Sequence, residues 1–550
     1  MDRKWWTLLA VCVATFMLLL DVTIVNTALP YIERSLGASF TDLQWVIDAY
    51  ALSLAALLLT GGSLADLLGR RRIFVAGLGV FTLASLACGL AESPLMLNLA
   101  RAVQGTGAAF MFATSLALLA SAFHGPDRGT AFGLWGATTG AAVAIGPLVG
   151  GALTQAFGWE FIFFVNVPIG LGAIALTLAK VDESHAPSGG RIDWPGLFTF
   201  SGGLFCLIFA LIRGNAEGWS SGIILGLLAA ALILLVTFVL VEARSAQPML
   251  DLSLFKSPTF NGASLAAFSL SAAMFAMFLY LTLYIQNSLG YSALEAGLRF
   301  LPTTLLAFFV APISGKLADR YGVRWFIAGG LVLVGLGLLL MRNIGPGDDW
   351  TAMLAGFMVA GGGIGAVNPA LATAAISVVE PQRAGMASGI NSTFRQVGIA
   401  TGTAALGAVF THIVNGQAPV FAEAVRRAGI EAATDRAGQF SDFISFGLYR
   451  RVGGGEQVLL AGREAYLEGL HAILLYGGIL ALVGVGLLLM SGRSASDDWT
   501  ALLPGFALCG IGIGMTNPAL ATAAVGIVEP ARAGMASGVN STFRQVGIAT

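Results

Sequence analysis

Charged residues are scarce in this chain. Asp, Glu, Lys and Arg make up 11% of its 550 residues, whereas soluble domains carry roughly 25%. Hydrophobic residues make up 56% of the chain. A surface that faces water on all sides needs more charge than this, so an ordinary soluble protein is excluded and an integral membrane protein is predicted.

Cysteine is scarce, and neither charge is in excess. The net charge is −1, and without a basic face no nucleic-acid partner is expected. The four cysteines lie within apolar runs, which predicts buried hydrophobic residues and neither disulfides nor metal ligands. They are Cys12, Cys88, Cys206 and Cys509.

Catalytic sequence motifs are absent as well. The chain has no phosphate-binding P-loop, no HExxH zinc motif and no CxxC pair. Its four histidines are scattered, at His124, His185, His412 and His471. We therefore expect no enzyme, no bound metal and no cofactor.

Long apolar windows are what the chain does contain. Fourteen of them, each bounded by charges, Gly or Pro, are long enough to cross about 30 Å of hydrocarbon. The first eight lie near 7–29, 44–62, 73–92, 96–121, 131–153, 160–180, 195–213 and 221–242. The other six lie near 261–285, 293–314, 325–342, 351–379, 386–412 and 469–491. A polar stretch near 414–468 is predicted to be an extramembrane loop with some helix.

Basic residues in the short connections predict the orientation. With the N-terminus in the cytoplasm, about fourteen Lys and Arg residues fall on the cytoplasmic side and about four on the opposite side. This bias predicts a multi-pass protein of the cytoplasmic membrane. Its N-terminus and the end of the fourteenth span are both expected to be cytoplasmic.

An internal repeat predicts two related halves. Gly62–Arg71 and Gly315–Arg324 share the pattern Gly-x-Leu-Ala-Asp-x-x-Gly-x-Arg, and each follows the second span of a six-span block. The predicted fold is therefore an all-α polytopic membrane protein with two six-helix bundles, at 1–180 and 261–491, and two inserted spans at 195–242. Transporters are commonly built from such repeats, with the substrate path between the halves.

A second repeat is much closer in sequence. Residues 348–401 recur as 497–550, with roughly 41 of 54 positions identical. Three predicted crossings separate the copies, so the second copy would cross in the opposite sense and carry Arg532 to the outside, against the positive-inside rule. We interpret residues 492–550, a partial duplicate of 343–401, as a recombination or gene-assembly remnant and not as a working part.

An acidic residue, Asp21, lies in the middle of the first span. A charge at bilayer depth costs at least ~2.5–3.5 kcal/mol on insertion scales, so Asp21 is expected to face a cavity or a partner. The candidate partner is Arg101 of span four, which shares a helix face with Gln104 and precedes Gly105. Two interpretations stay open: a proton-coupling site tuned by the arginine, or a structural tether between spans.

Asp48 is a second acidic residue within an apolar window, in span two. It lies closer to the outer surface than Asp21. One interpretation is a second proton-coupling or substrate site, and the other is a solvated charge at the mouth of the helix.

The repeated Gly-x-x-x-Asp-x-x-Gly segments lie on the cytoplasmic side and predict a gate. In that gate Asp66 would cap a helix N-terminus and the arginines would pair with the other half. For the arginines alone, positive-inside topology is the alternative explanation. The candidate gate residues are Gly62, Asp66, Gly69, Arg70, Arg71, Asp319, Arg320 and Arg324.

Span five is rich in glycine and contains a proline. Glycines let a neighbouring backbone approach, and proline removes a helix hydrogen bond, so a tightly packed and bent helix is predicted. The residues concerned are Gly140, Gly146, Pro147, Gly150 and Gly151.

Together these segments resemble the signatures of the major facilitator superfamily, and specifically of its fourteen-span drug:proton antiporters. The matching segments are Asp21–Pro30, Gly62–Arg71, Leu97–Gly107, Gly140–Gly151 and Gly158–Pro168. Within the last of these, Glu160 stands where the family usually has arginine. The resemblance covers residues 1 to about 491.

The resemblance implies proton-coupled export of hydrophobic or cationic drugs or toxic small molecules across a bacterial inner membrane by alternating access. The proton motive force would drive it without a cofactor, and protonation of Asp21, tuned by Arg101, would alternate with substrate binding. The partners would be the substrate, protons and lipid; a monomer is the expected state, and no accessory efflux protein is identified. A narrow-specificity metabolite exporter, an uptake symporter and a defective fusion product remain as alternatives.

A central cavity between the bundles would hold the substrate. The candidate lining residues are Asn26, Tyr50, Asn391, Arg395 and Gln396. A stripe of Met and aromatic residues in span nine either lines this cavity or packs against lipid and other helices. Its members are Met274, Phe275, Met277, Phe278 and Tyr280.

Overall fold

The computed structural model describes residues 2–490, except for 126, 185–191, 246–247, 378, 381–382, 429–439 and 453–454. Regular structure in this part of the chain is entirely helical. The duplicated segment 492–550 lies outside the described residues, as do the side chains of Asn26, Pro147, Phe275 and Asp319.

The described helices fall into an N-terminal half, an inserted pair and a C-terminal half. The N-terminal half comprises α1 Arg3–Leu36, α2 Phe40–Leu68, α3 Arg70–Gly89, α4 Pro94–Ala122, α5 Asp127–Phe157, α6 Phe161–Phe164 and α7 Asn166–Lys180. The inserted pair is α8 Trp194–Glu217 and α9 Gly222–Glu242. The C-terminal half comprises α10 Pro258–Leu283, α11 Ala293–Arg299, α12 Leu301–Tyr321, α13 Val323–Leu340, α14 Leu354–Ser377, α15 Ala384–Gly416, α16 Ala418–Arg427, α17 Phe440–Ser445 and α18 Gly455–Met490.

The number of long helices agrees with a polytopic membrane protein. Among the described residues, thirteen helical segments are long and apolar enough to cross a membrane. Helix α5 is a fourteenth long helix, whose 31 residues extend for about 46 Å at 1.5 Å per residue. The predicted all-α polytopic fold is confirmed.

The last span begins earlier than the sequence predicts. Its expected start is near residue 469, whereas α18 already begins at Gly455. Its first turns pack on neighbouring chain segments: the Tyr466 hydroxyl donates to the Tyr280 carbonyl at 2.7 Å, and Arg463 Nε donates to the Ser288 carbonyl at 3.2 Å. These contacts satisfy the polar side chains, so the helix continues beyond the apolar window.

The two halves meet at two equivalent helix crossings, on the side predicted to be cytoplasmic. Gly62 of α2 lies against the Gly385 carbonyl of α15, and Gly315 of α12 lies against the Gly129 carbonyl of α5. A Cβ at Gly62 or Gly315 would clash with that carbonyl. The internal repeat therefore places equivalent glycines at equivalent crossings, where small residues let the backbones approach closely.

The inserted pair attaches to the seam between the halves through α8. Leu204 and Ile208 of α8 pack with Leu52 of α2 and Ala400 of α15. Asn215 Nδ2 also donates to the Ala404 carbonyl of α15 at 2.8 Å. Helix α9 packs mainly on α8 and is mostly exposed at its apolar surface, so it faces lipid.

The glycine crossings predict that Gly315→Val destabilises the protein. The new side chain would have to enter the space of the Gly129 carbonyl, and overpacking of this kind costs about 1–3 kcal/mol. Thermal unfolding of the full chain in detergent measures the effect. Gly329→Val on α13 is the matched control, because no atom lies within 4 Å of a Cβ built there; equal melting temperatures for the two variants would contradict the crossing.

Candidate functional site

A buried polar site lies inside the N-terminal half, where four helices converge. It contains Asp21 of α1, Ser85 of α3, Arg101 and Gln104 of α4, and Asn166 of α7. Each of the five is at most 1% exposed. The structure thus brings together the acidic residue and the span-four pair that the sequence identifies.

The Asp21 carboxylate accepts three hydrogen bonds from side chains. Arg101 Nη1 donates to Oδ2 at 2.5 Å, Gln104 Nε2 donates to Oδ1 at 2.9 Å, and Asn166 Nδ2 donates to Oδ1 at 3.0 Å. Gln104 also accepts from Arg101 Nη1 at 2.6 Å and donates to Ser85 Oγ at 2.7 Å. Charge-assisted bonds of this kind are stronger than neutral ones, so the network ties α1 firmly to α3, α4 and α7.

The Arg101 guanidinium is fixed by a further backbone and aromatic contact. Its Nε donates to the Val46 carbonyl of α2 at 2.9 Å. Its Cζ lies 4.2 Å from the centre of the Tyr50 ring and 5.8 Å from that of Phe163, within cation–π range. Tyr50 therefore packs on Arg101. It is predicted to line the substrate cavity, but it is not among the residues that line the cavity described below.

Gly105 allows α2 to come close enough for its Val46 carbonyl to accept a hydrogen bond from Arg101. A Cβ at Gly105 would clash with the Tyr50 carbonyl of α2. Without a side chain at this position, α2 and α4 pack backbone to backbone, and the Val46 carbonyl reaches the guanidinium.

Sequence reasoning missed Ser85 and Asn166. Asn166 lies in the segment Gly158–Pro168, where a lone amide in an apolar run is a usable signal. Ser85 carries no such signal, because serines are common in membrane helices and often bond to their own backbone.

Asp48 stands apart from this network. Its half-buried side chain has Arg213 of α8 as its charged neighbour. Arg213 itself donates to Gln44 Oε1 at 3.2 Å and to Glu217 Oε1 at 2.7 Å. Asp48 is thus placed near the α2–α8 contact and not beside Asp21.

Asp66 lies at a helix N-terminus, the position that the repeated motif predicts for it. Its carboxylate accepts from the backbone N–H groups of Gly385 at 3.0 Å and Met386 at 2.8 Å, both in the first turn of α15. Arg70 Nη2 donates to the same carboxylate at 2.8 Å. A buried acidic residue of the N-terminal half therefore caps a helix of the C-terminal half, where the helix dipole favours negative charge.

The described contacts of Arg70 and Arg71 lie within the N-terminal half. Arg70 pairs with Asp66 of α2, the preceding helix. The Arg71 backbone N–H donates to Glu183 Oε1 at 3.0 Å, and Arg71 Nη1 donates to the Val181 carbonyl at 3.1 Å. The chain after α7 folds back to the start of α3 and supplies these acceptors, which no local pattern indicates.

The second copy of the motif is described only in part. Gly69 and Gly322 both have positive φ, 110° and 94°, which explains why each copy has glycine at this turn. Arg320 lies over the Tyr321 ring, with 5.5 Å from Cζ to the ring centre. Arg324 lies half-buried in the first turn of α13.

The α5 glycines pack against the helix that carries Asp21. A Cβ at Gly146 would clash with the Thr23 side chain, and one at Gly150 would clash with the Thr27 side chain. Gly140 faces Ala307 of α12 instead, and a Cβ at Gly151 would meet no atom within 4 Å. Helix α5 is continuous over Asp127–Phe157, and its glycines hold α1 in place.

A cavity of about 860 Å³, including its opening, lies between the two halves. Arg395 and Gln396 of α15 line it, as do Met274 and Phe278 of α10. Arg395 Nη2 donates to Asn368 Oδ1 of α14 at 2.6 Å. The full lining is Leu19, Phe112, Thr139, Gly140, Leu270, Ser271, Met274, Phe278, Thr303, Thr304, Ala307, Ile364, Asn368, Arg395, Gln396 and Ile399.

Other residues expected at the cavity lie elsewhere. Asn391 is 2% exposed and is not part of the lining. Met277 is buried in the core of the C-terminal half, and the Tyr280 ring packs on Phe410 with 4.4 Å between ring centres. Residues of α10 at every third or fourth position line the cavity, whereas residues at the neighbouring positions pack against other helices.

The network predicts strong energetic coupling between Asp21 and Arg101. Arg101→Met leaves the carboxylate buried without its cation, which costs about 3–5 kcal/mol, and adding Asp21→Asn removes the orphaned charge and recovers part of that loss. Thermal unfolding of the two single variants and the double variant gives the coupling. Arg244→Met, at an exposed position, is the control; losses that simply add in the double variant would contradict a direct pair.

Comparisons with known proteins agree with this architecture. The chain is 38% identical over 404 residues to the multidrug resistance protein Stp of Mycobacterium tuberculosis (strain CDC 1551 / Oshkosh), covering 73% of this chain and 75% of that protein. It is 32% identical over 512 residues to the tetracenomycin C resistance and export protein of Streptomyces glaucescens, covering 90% and 93%.

A solved structure shares the fold. The crystal structure of a bacterial homologue of the human lysosomal transporter Spinster superposes with a TM-score of 0.53 at 17% sequence identity, covering 92% of this chain and 98% of that one. The expected multi-pass location in a cell membrane is confirmed by the membrane helices and by the bacterial relatives. The model of the Major Facilitator Superfamily matches residues 11–403, and this chain belongs to that superfamily of membrane transporters.

Proposed function

We propose that this protein exports antibiotics or other toxic small molecules across the cell membrane by alternating access, driven by protons. The relatives named as multidrug resistance and export proteins support the export of such compounds. The observation that carries the proton-coupled mechanism is the buried Asp21 network, because a carboxylate at bilayer depth whose partners belong to several helices can translate a change of charge into helix movement.

Protonation of Asp21 would remove the counter-ion of Arg101. One carboxylate oxygen would become a hydroxyl, so the network would lose an acceptor and gain a donor. Arg101 and Gln104 would then have to find other acceptors. The contact between α1 and α4 is therefore the part of the N-terminal half that would rearrange first.

The proton site and the cavity lie on opposite sides of α1. Leu19 lines the cavity, and Asp21 follows two residues later, which turns its side chain by about 200° around the helix. Asp21 is not part of the described lining. Substrate and proton would thus compete through movement of α1 and not by contact with one carboxylate.

Helix α5 supplies a path from α1 to the seam between the halves. Its glycines Gly146 and Gly150 pack on α1, Gly140 lies at the cavity, and Gly133 lies against Pro312 of α12. A shift of α1 would therefore press on a helix that touches both the cavity and the other half.

The Asp66 cap would act as the cytoplasmic gate. It joins α2 to the first turn of α15 by two charge-assisted bonds to backbone N–H groups. Opening on this side would have to break those bonds and separate Gly62 from Gly385. When these bonds break, Asp66 and the backbone N–H groups of the helix terminus become exposed to water. Water can then hydrogen-bond to both, which offsets part of the free-energy cost of opening.

The mechanism predicts that Asp21→Asn abolishes uphill transport. The amide keeps the size of the side chain but does not titrate, so export into everted vesicles driven by a proton gradient should fall by at least about tenfold, whereas downhill substrate exchange should continue. Asp182→Asn is the control, since Asp182 is exposed and pairs with Arg3 at the surface. Uphill, uncoupler-sensitive transport by the Asp21→Asn variant would remove Asp21 from the coupling mechanism.

A further inference from the structure

The central cavity carries an unbalanced positive charge. Of the described residues that line it, Arg395 is the one with a formal charge. Its side chain is half-buried between α14 and the cavity. No carboxylate of the described residues lies within ion-pair distance of its guanidinium.

Arg395 differs in this respect from Arg101, which is fully buried in the N-terminal half. Arg101 has the Asp21 carboxylate at 2.5 Å and a backbone carbonyl as a second acceptor. Arg395 has the neutral amide oxygen of Asn368 at 2.6 Å. A neutral acceptor satisfies one of the five N–H donors of a guanidinium and none of its charge. The desolvation of Arg395 is thus offset only in part by the protein itself.

The cavity offers apolar surface as well as polar groups. Apolar surface comes from both halves, for example from Leu19 and Phe112 of the N-terminal half and from Met274 and Phe278 of the C-terminal half. The amides of Asn368 and Gln396 lie in the lining with Arg395. A bound molecule would meet apolar walls together with hydrogen-bonding groups and a positive charge.

We propose that this cavity selects amphipathic organic anions, with the anionic group bound by Arg395 and the apolar body packed against the apolar lining of the two halves. A carboxylate, phenolate or enolate supplies the acceptor oxygens that a guanidinium binds, with two parallel hydrogen bonds in the case of a carboxylate. A cation in the same cavity would meet uncompensated repulsion in a medium of low dielectric constant. This inference rests on the proposed export function and names anions as its substrates, whereas the family resemblance implies hydrophobic or cationic compounds.

Two dyes that share a xanthene ring test the charge selection: fluorescein, an anion at pH 8, and rhodamine 123, a cation. Binding to the purified full-length protein is followed by fluorescence polarisation. We expect fluorescein to bind at least about tenfold more tightly than rhodamine 123, and Arg395→Gln to weaken fluorescein binding at least about tenfold. Arg395→Lys should bind with intermediate affinity, and Arg426→Gln, at an exposed ion pair, should leave binding unchanged.

A second variant separates anion recognition from a structural tie between α14 and α15. Asn368→Asp places a carboxylate where the amide now accepts from Arg395, so the tie is kept or strengthened while the charge is neutralised. Loss of fluorescein binding in this variant, with a melting temperature at or above that of the original chain, supports recognition by charge. Retained fluorescein binding would mean that Arg395 serves as a structural tie, and would overturn the proposal.

The binding and transport results distinguish this inference from the proposed export function. Tighter binding of rhodamine 123 than of fluorescein, no saturable fluorescein binding, or fluorescein binding that survives Arg395→Gln overturns the anion proposal. Fluorescein binding that depends on Arg395, without proton-driven transport of the dye in proteoliposomes, keeps the anion site and argues against the export function. Proton-driven transport of rhodamine 123 that is independent of Arg395 supports the export function and overturns the anion proposal.

Discussion

The placement of one carboxylate beside one guanidinium, deep in the membrane region, is the constraint on which the N-terminal half depends. Neither Asp21 nor Arg101 is stable there alone, and together they still need acceptors and donors for the remaining lone pairs and N–H groups. Gln104, Asn166 and the Val46 carbonyl meet that need. Five helices are thereby held in one arrangement by a polar cluster, since apolar surface alone gives membrane helices little preference between neighbours.

The sequence predicts the parts of this site that follow from charge. Asp21 and Arg101 lie in apolar windows, so each requires a partner, and the three-residue spacing puts Gln104 on the same face. Ser85 and Glu183 could not be found in this way, because their roles depend on how α3 is rotated and where the chain after α7 folds back. The start of α18 at Gly455 lies before the predicted span for a similar reason: contacts with other chain segments, such as Tyr466 with Tyr280, accompany its first turns.

The relation between the halves was predictable as a repeat but not as an interface. The equivalence of Gly62 and Gly315 is visible in the sequence, whereas their partners Gly385 and Gly129 are ordinary glycines among many. Glycine abundance signals close packing somewhere, and only the three-dimensional crossing shows which glycine meets which carbonyl. Both crossings use the same element of the repeat, so the two halves meet at two equivalent contacts on the side predicted to be cytoplasmic.

Arg101 and Arg395 differ in their counter-ions, and this difference underlies the two roles proposed for them. Arg101 has its anion built into α1, so in the proposed mechanism protonation of Asp21 would shift that helix. Arg395 has a neutral partner in Asn368, so an anion that enters the cavity changes the local charge balance without displacing a carboxylate of the lining. With Leu19 and Asp21 on opposite faces of α1, both events act on the same helix from different sides. A proton and an anionic substrate would then be linked through the position of α1, although no described residue touches both.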